Sequence, residues 1–278
     1  MPEGPEIRLA ADRVAAALVG RTTSRVSFDF SRLKQYEPLL AGCRVIDVET
    51  RGKAMLTCFD NDWIIYSHNQ LYGRWYICPQ GEIPNTQRQL RVAIHNPEFS
   101  ALLYSASDIE VMRRTELEKH PFLARLGPDI LGQQPDPDEI ASRFQLKTFR
   151  NRQLAGLLLD QRFLAGLGNY LRAEILASAR LHPLTKPSDC SERQLLKLAR
   201  VIINLTRRSY RTGGVINPPA LVNKLKAQGI TRKEDYRFST YNRESQPCYF
   251  CGHEIESSNA GGRKMYFCPF CQPNPKDS

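Results

Sequence analysis

Two groups of residues in this 278-residue chain have the types and spacing that do chemistry. The first is the opening run Met1-Pro2-Glu3-Gly4-Pro5-Glu6. An initiator methionine followed by a residue as small as proline is usually removed, which would leave Pro2 with a free secondary amine. An α-amino group titrates at about pH 7.7–8.0 and a lysine at about 10.4, so at pH 7 about 10% of the former is neutral against about 0.04% of the latter. A secondary amine that attacks a carbonyl-type carbon gives an iminium, which is charged without further protonation and acts as an electron sink. Glu3 places a carboxyl group beside that centre for proton transfer. Read alone, the same six residues also fit a start-codon neighbour and a proline in the first turn of a helix.

The second group is Cys248-x2-Cys251-x16-Cys268-x2-Cys271. This spacing suits a tetrahedral four-thiolate site, so one structural zinc ion is expected, and its closed shell leaves no position for metal catalysis. Between the cysteine pairs, His253–Ser258 and Arg263–Phe267 read as two short strands joined by a hairpin tip at 259–262. With the shell full, His253 is expected on the hairpin and not on the metal. Arg263 follows the tip, either as a solvated arginine or as a cation held rigidly toward a phosphate. The other cysteines, Cys43, Cys58, Cys78 and Cys190, are scattered, and the first three lie in apolar, strand-like segments. They read as buried thiols in a reducing compartment.

The elements that must position these groups fall into two halves. Residues 1–140 hold 16 Lys/Arg and 19 Asp/Glu, a net of −3, whereas residues 141–278 hold 23 and 10, a net of +13. A polyanion-binding half joined to another working half is implied. No segment is long and apolar enough to span a membrane and no signal peptide opens the chain, so a soluble, cytoplasmic protein is expected. Residues 3–19 have helical spacing and stop at Gly20. Strands are expected at 22–30, 44–50, 54–59, 63–67, 73–78, 90–95 and 101–104, enough for a β-sandwich or barrel-like body. Residues 115–125 read as helical and 127–138 as a linker. Helices are then expected at 138–144, 151–159, 169–179 and 191–206, with Asn169 capping the third behind the Gly166-Leu167-Gly168 turn. A helix start of this kind is a seat for phosphate. The polar, basic stretch 211–245 has no clear pattern and reads as partly mobile.

Taken together, Pro2–Glu6, Thr50-Arg51-Gly52-Lys53, His120-Pro121-Phe122-Leu123, the 158–174 stretch and the cysteine module closely resemble the formamidopyrimidine-DNA glycosylase/endonuclease VIII family of base-excision repair enzymes. The resemblance covers nearly the whole chain. It implies an α+β multidomain fold: an N-terminal β-sandwich with flanking helices (1–127), a linker (128–138), a helix–two-turn–helix domain (139–238) and a zinc-bound β-hairpin finger (239–273). The run Gln70-Leu71-Tyr72 on one loop is like the endonuclease VIII branch, in which it fills the gap left by an extruded base; physically, Leu71 and Tyr72 can wedge and stack, and Gln70 can offer an amide to the orphaned base. The resemblance further implies Pro2 as nucleophile at the sugar C1′ and Glu3 as the acid at the sugar ring oxygen. Lys53 would bind phosphate and assist β-elimination, Arg263 would clamp phosphates and assist δ-elimination, and Arg125 and Asn169 would touch the DNA backbone. The implied partner is damaged double-stranded DNA, bound by a monomer. Two other readings remain open at this point: the oxidised-purine branch of the same family, and a non-catalytic zinc-finger DNA-binding protein. If the basic half grips phosphates, log K for a duplex should fall with log [salt] by about 0.9 per phosphate contact between about 50 and 200 mM salt. Fluorescence anisotropy across that range checks this, and a flat profile contradicts it.

Overall fold

The computed structural model describes residues 2–275, which divide between Arg125 and Leu126 into two units. In the first, helix α1 (Gly4–Leu18) starts where the Glu3 backbone N–H donates to Glu6 Oε2 at 3.0 Å. Pro5 sits in its first turn, where a missing N–H removes no helical bond. Ile7, Ala11, Val14 and Leu18 form its single buried stripe. Strands β1 (Arg25–Phe28), β6 (Leu90–His95), β7 (Phe99–Tyr104) and β5 (Arg74–Pro79) make one antiparallel sheet in that order. Strands β2 (Val45–Arg51), β3 (Ala54–Phe59), β4 (Trp63–His68) and β8 (Asp108–Arg113) make the other, with a one-turn α2 (Glu37–Leu40) between β1 and β2.

Phe28, Val92 and Leu103 of one sheet share a core with Val48, Met55, Ile65 and Val111 of the other and with the α1 stripe, so the unit is a β-sandwich. Strand β3 is buried throughout because both of its faces are covered. Met55 and Phe59 face the sandwich, while Ala54, Leu56 and Cys58 pack against Leu117, Phe122 and Leu123. Strand β8 has no counterpart among the expected strands. Ile109 and Val111 face the sandwich core and Met112 packs on the other face with Leu117, but Asp108 and Glu110 interrupt this apolar run and hide the strand. The helix expected at 115–125 is instead two 3₁₀ turns, Arg114–Lys119 and Leu123–Arg125, separated by Pro121. Of the scattered cysteines only Cys58 is fully buried, its thiol pushed up to about 11 by burial and by Glu49; Cys43, Cys78 and Cys190 are half-buried.

The second unit holds α3 (Pro137–Phe144), α4 (Leu154–Leu157), α5 (Asn169–Ala179), α6 (Glu192–Arg211), α7 (Pro219–Ala227) and α8 (Lys233–Tyr236), then the hairpin β9 (Glu256–Ala260) and β10 (Arg263–Phe267). Two sequence expectations are corrected here. The stretch read as a linker is part of this unit: Ile130 joins the helical core, Gly127 N–H donates to Gln161 O at 2.9 Å and Ala165 N–H to Pro128 O at 3.0 Å. Residues 211–245, which show no pattern in the sequence, carry α7 and α8 and bury Ile216, Leu225 and Phe238. The finger shares the helical core, since Ala260 and Met265 pack in the same cluster as Leu171 and Ile175 of α5.

The helix α5 is buried from Tyr170 to Leu176, including two charged side chains. Glu174 accepts from the Ser239, Thr240 and Tyr241 backbone N–H groups at 2.8–2.9 Å and from the Ser239 and Thr240 hydroxyls. This one carboxylate anchors the chain as it enters the finger. Glu174→Ala strands those donors, and we expect a loss of about 3–5 kcal/mol in urea unfolding, the cost of breaking a buried charged network from one side. A loss under about 1 kcal/mol would contradict the anchor.

Candidate functional site

In the first unit the candidate groups sit on the sandwich and on the start of α1. Pro2 is half-exposed, and Met1 lies outside the described residues. Glu3, the residue at the α1 N-cap, is only 2% exposed. Lys53 follows Gly52 in the β2–β3 turn and is 7% exposed, on strands against which α1 packs. A lysine this withdrawn is no ordinary surface lysine.

His68, which the sequence reading passed over, stands across the β3–β4 ladder from Ala54, the residue after Lys53. Burial lowers its pKa and the Lys53 charge lowers it further, against the opposing pull of Asp108. The imidazole is therefore neutral at pH 7, and its Nδ1 accepts the Gln70 backbone N–H at 3.1 Å. One ring thus lies under Lys53's field and fixes the start of the Gln70 loop. The signal available in the sequence was a histidine ending a strand just before that loop.

The loop itself is held at its base. Gln70 has φ +48°, and its Oε1 accepts from Ser107 Oγ at 2.7 Å. Gly73 N–H donates to Asn69 O at 2.7 Å, and a Cβ at Gly73 would come within 2.6 Å of the Asn69 backbone, so only glycine closes the turn. Arg88 donates to Tyr72 O at 2.5 Å. Leu71 and Tyr72 are left 58% and 69% exposed, two apolar side chains presented on a braced loop. Arg125 is exposed at the end of its 3₁₀ turn.

In the second unit, Asn169 does not cap α5; Gly168 occupies that position. The Asn169 amide Nδ2 instead donates to Lys264 O in β10 at 3.0 Å, and its Oδ1 accepts from the guanidinium of Arg172. The hairpin turn is tighter than expected: Asn259 and Ala260 lie in β9, and only Gly261 and Gly262 make the tip, with φ +63° and +72°. Arg263 is the first residue of β10, its side chain exposed and without an ion pair or hydrogen bond among the described residues.

The four cysteine Sγ atoms lie within 4.8 Å of one another, with Cys251–Cys268 at 3.4 Å and Cys248–Cys271 at 4.0 Å. A tetrahedron with metal–sulfur bonds of about 2.3 Å has edges of about 3.8 Å, so the cluster could hold one metal ion. Burial raises the thiols of Cys268 and Cys271. For Cys251 burial acts in the same sense but is outweighed by the His253 backbone and the neighbouring thiols, which bring it to about 6. A bound dication would hold all four as thiolates. Gln272, fully buried, accepts from the Cys268 N–H and donates to Leu181 O at 2.8 Å, tying the second knuckle to the helical core. His253 stacks on Phe270 at 4.3 Å, away from a ligand's role.

Residues 1–106 match the formamidopyrimidine-DNA glycosylase N-terminal domain, and residues 126–218 match the formamidopyrimidine-DNA glycosylase H2TH domain. Endonuclease 8 of Pectobacterium atrosepticum is 47% identical and that of Shigella sonnei 48% identical, each over 98% of this chain and 100% of the relative. The chain belongs to the formamidopyrimidine-DNA glycosylase/endonuclease VIII family. It is thus a bifunctional DNA glycosylase and AP lyase. The family fold extends to distant sequences: Lactococcus lactis Fpg, solved with an abasic-site DNA, superposes with a TM-score of 0.80 at 19% identity, covering 98% of this chain and 100% of that one. A family member solved with carbocyclic 8-oxo-G DNA gives 0.80 at 21%, with the same coverage. Among the described residues no helix is long and apolar enough to cross a membrane.

Cys268→Ser removes one of the four candidate ligands. We expect its metal content by inductively coupled plasma mass spectrometry to fall from one ion per chain to near zero; unchanged content contradicts the assignment.

Proposed function

We propose that this glycosylase/lyase removes oxidised pyrimidines from duplex DNA through the amine of Pro2 once Met1 is gone. The supporting observation is a carboxyl group withdrawn from solvent at Glu3, immediately beside a half-exposed Pro2. In this reading the Pro2 nitrogen bonds to C1′ of the damaged nucleotide and the glycosidic bond breaks. Glu3 protonates the sugar ring oxygen, and the opened sugar carries an iminium at C1′. The iminium acidifies C2′; loss of that proton sends electrons toward C1′ and expels the 3′ phosphate. A second elimination expels the 5′ phosphate. Lys53 holds phosphate and assists the first elimination, and Arg263 clamps phosphates and assists the second. Arg125 and Asn169 contact the backbone.

The pyrimidine assignment rests on Gln70, Leu71 and Tyr72 lying on one braced loop, which suits a single loop filling the gap left by the extruded base. The cysteine cluster holds one structural zinc ion, which stabilises the finger and supplies no step of the reaction. The enzyme acts as a monomer in the cytoplasm.

Borohydride should trap the enzyme covalently on duplexes carrying thymine glycol or dihydrouracil, and Pro2→Gly or an uncleaved N-terminal extension should abolish trapping. Full activity in either variant would remove Pro2 from the mechanism. Preferred cleavage of 8-oxoguanine opposite cytosine would move the enzyme to the purine branch. Binding to damaged DNA without any trapping would make it a non-catalytic binder.

A further inference from the structure

We infer that Arg172 is the positioning residue for Arg263, a role that rests on the proposed part of Arg263 in the second elimination. Arg172 is 0% exposed, in the middle of α5. One terminal nitrogen donates to Ala155 O in α4 at 2.9 Å and to Ala260 O at the end of β9 at 2.8 Å. The other donates to Asn169 Oδ1 at 2.5 Å and to Lys264 O in β10 at 3.3 Å. Asn169 closes the ring by donating to that same Lys264 carbonyl.

These contacts bracket Arg263. Ala260 is its partner across the hairpin, and Lys264 is the next residue along the strand. A planar guanidinium with donors at fixed angles sets both carbonyls relative to α4 and α5 at once, which a lysine's single ammonium does not. The hairpin tip is seated as well: a Cβ on Gly261 would lie 3.4 Å from the Gly156 Cα of α4 and 3.7 Å from the Arg172 guanidinium. The Lys264 side chain is engaged by Glu244, so the cation that the seated hairpin presents unpaired is Arg263. The start of α5, where Asn169 stands, and the Arg263 strand therefore form one rigid piece with a fixed spacing between their phosphate contacts.

The test is a double-mutant cycle between Arg172 and Arg263 in the full chain, using Arg172→Lys, which keeps the buried charge, and Arg172→Met, which removes it, each with and without Arg263→Ala. Three readouts apply: the fraction of abasic-site duplex carried through to the second elimination, affinity for an uncleavable abasic-site duplex, and borohydride trapping with metal content. We expect Arg172→Lys to keep its metal and to trap within about twofold of the unmodified chain. Its second-elimination product should fall about ten- to hundredfold, as misplacement of a catalytic group costs. Adding Arg263→Ala should lower product and affinity no further, because the two residues act as a unit. If Arg172→Met does not fold, the lysine variant alone decides. Additive losses, or trapping and metal content falling in parallel with product, would overturn the assignment and leave Arg172 a merely structural residue. The reading of Pro2 is tested separately by trapping in the unmodified chain, and the coupling in affinity does not depend on it.

Discussion

The structure of the second unit depends on placing two charges inside one helix. α5 is enclosed on nearly all sides, and a buried charge is tolerable only when its hydrogen-bonding capacity is met. The two terminal nitrogens of Arg172 donate to carbonyls of α4 and both hairpin strands and to Asn169, and Glu174 accepts from three consecutive backbone N–H groups before the finger. The finger's own apolar cluster is small: Cys248, Ile255, Tyr266 and Cys268, with Tyr241 and two further cysteines at its edge. So little burial does not fold a hairpin independently. The ties to α5 supply what the core does not, and they fix where Arg263 stands.

The first unit solves a different problem. Its loop at 69–73 carries a residue at positive φ and two exposed apolar side chains, features that cost stability wherever they occur. The sandwich beneath it is buried on both sides of β3 and tolerates the loop. His68 transmits that order: a neutral ring at the end of β4 accepts the Gln70 N–H while lying in the field of Lys53. The half-buried ring and the nearly buried Lys53 are preorganised by the scaffold, as their proposed place beside a charged backbone requires.

Much of this was legible in the sequence where one physical rule dominates. The cysteine spacing, the limits of β3 and the extent of α5 follow from ligand geometry and hydrophobic runs, and the structure matches them. The Pro2–Glu6 and Gln70–Tyr72 runs were readable only through family resemblance, since isolated they also describe a start codon and a packed loop. What stayed hidden has tertiary causes. β8 is masked because Asp108 and Glu110 interrupt its buried Ile109, Val111 and Met112, and 127–138 looks like a linker because it enters the core through Ile130 alone. Asn169 looks like a cap, yet its amide is drawn to a strand 95 positions away. Arg172 and Glu174 look like the solvated face of a helix, and only the chain returning from residues 239–264 makes them interior.

In the proposed mechanism a backbone nitrogen at the start of α1 becomes bonded to the sugar. Borohydride reduction of the enzyme on an abasic-site duplex, followed by proteolysis and mass spectrometry of the adduct, reads that bond directly. The deoxyribose remnant should be found on the peptide beginning with Pro2, joined to its nitrogen. A remnant on an internal side chain such as Lys53 would contradict the account.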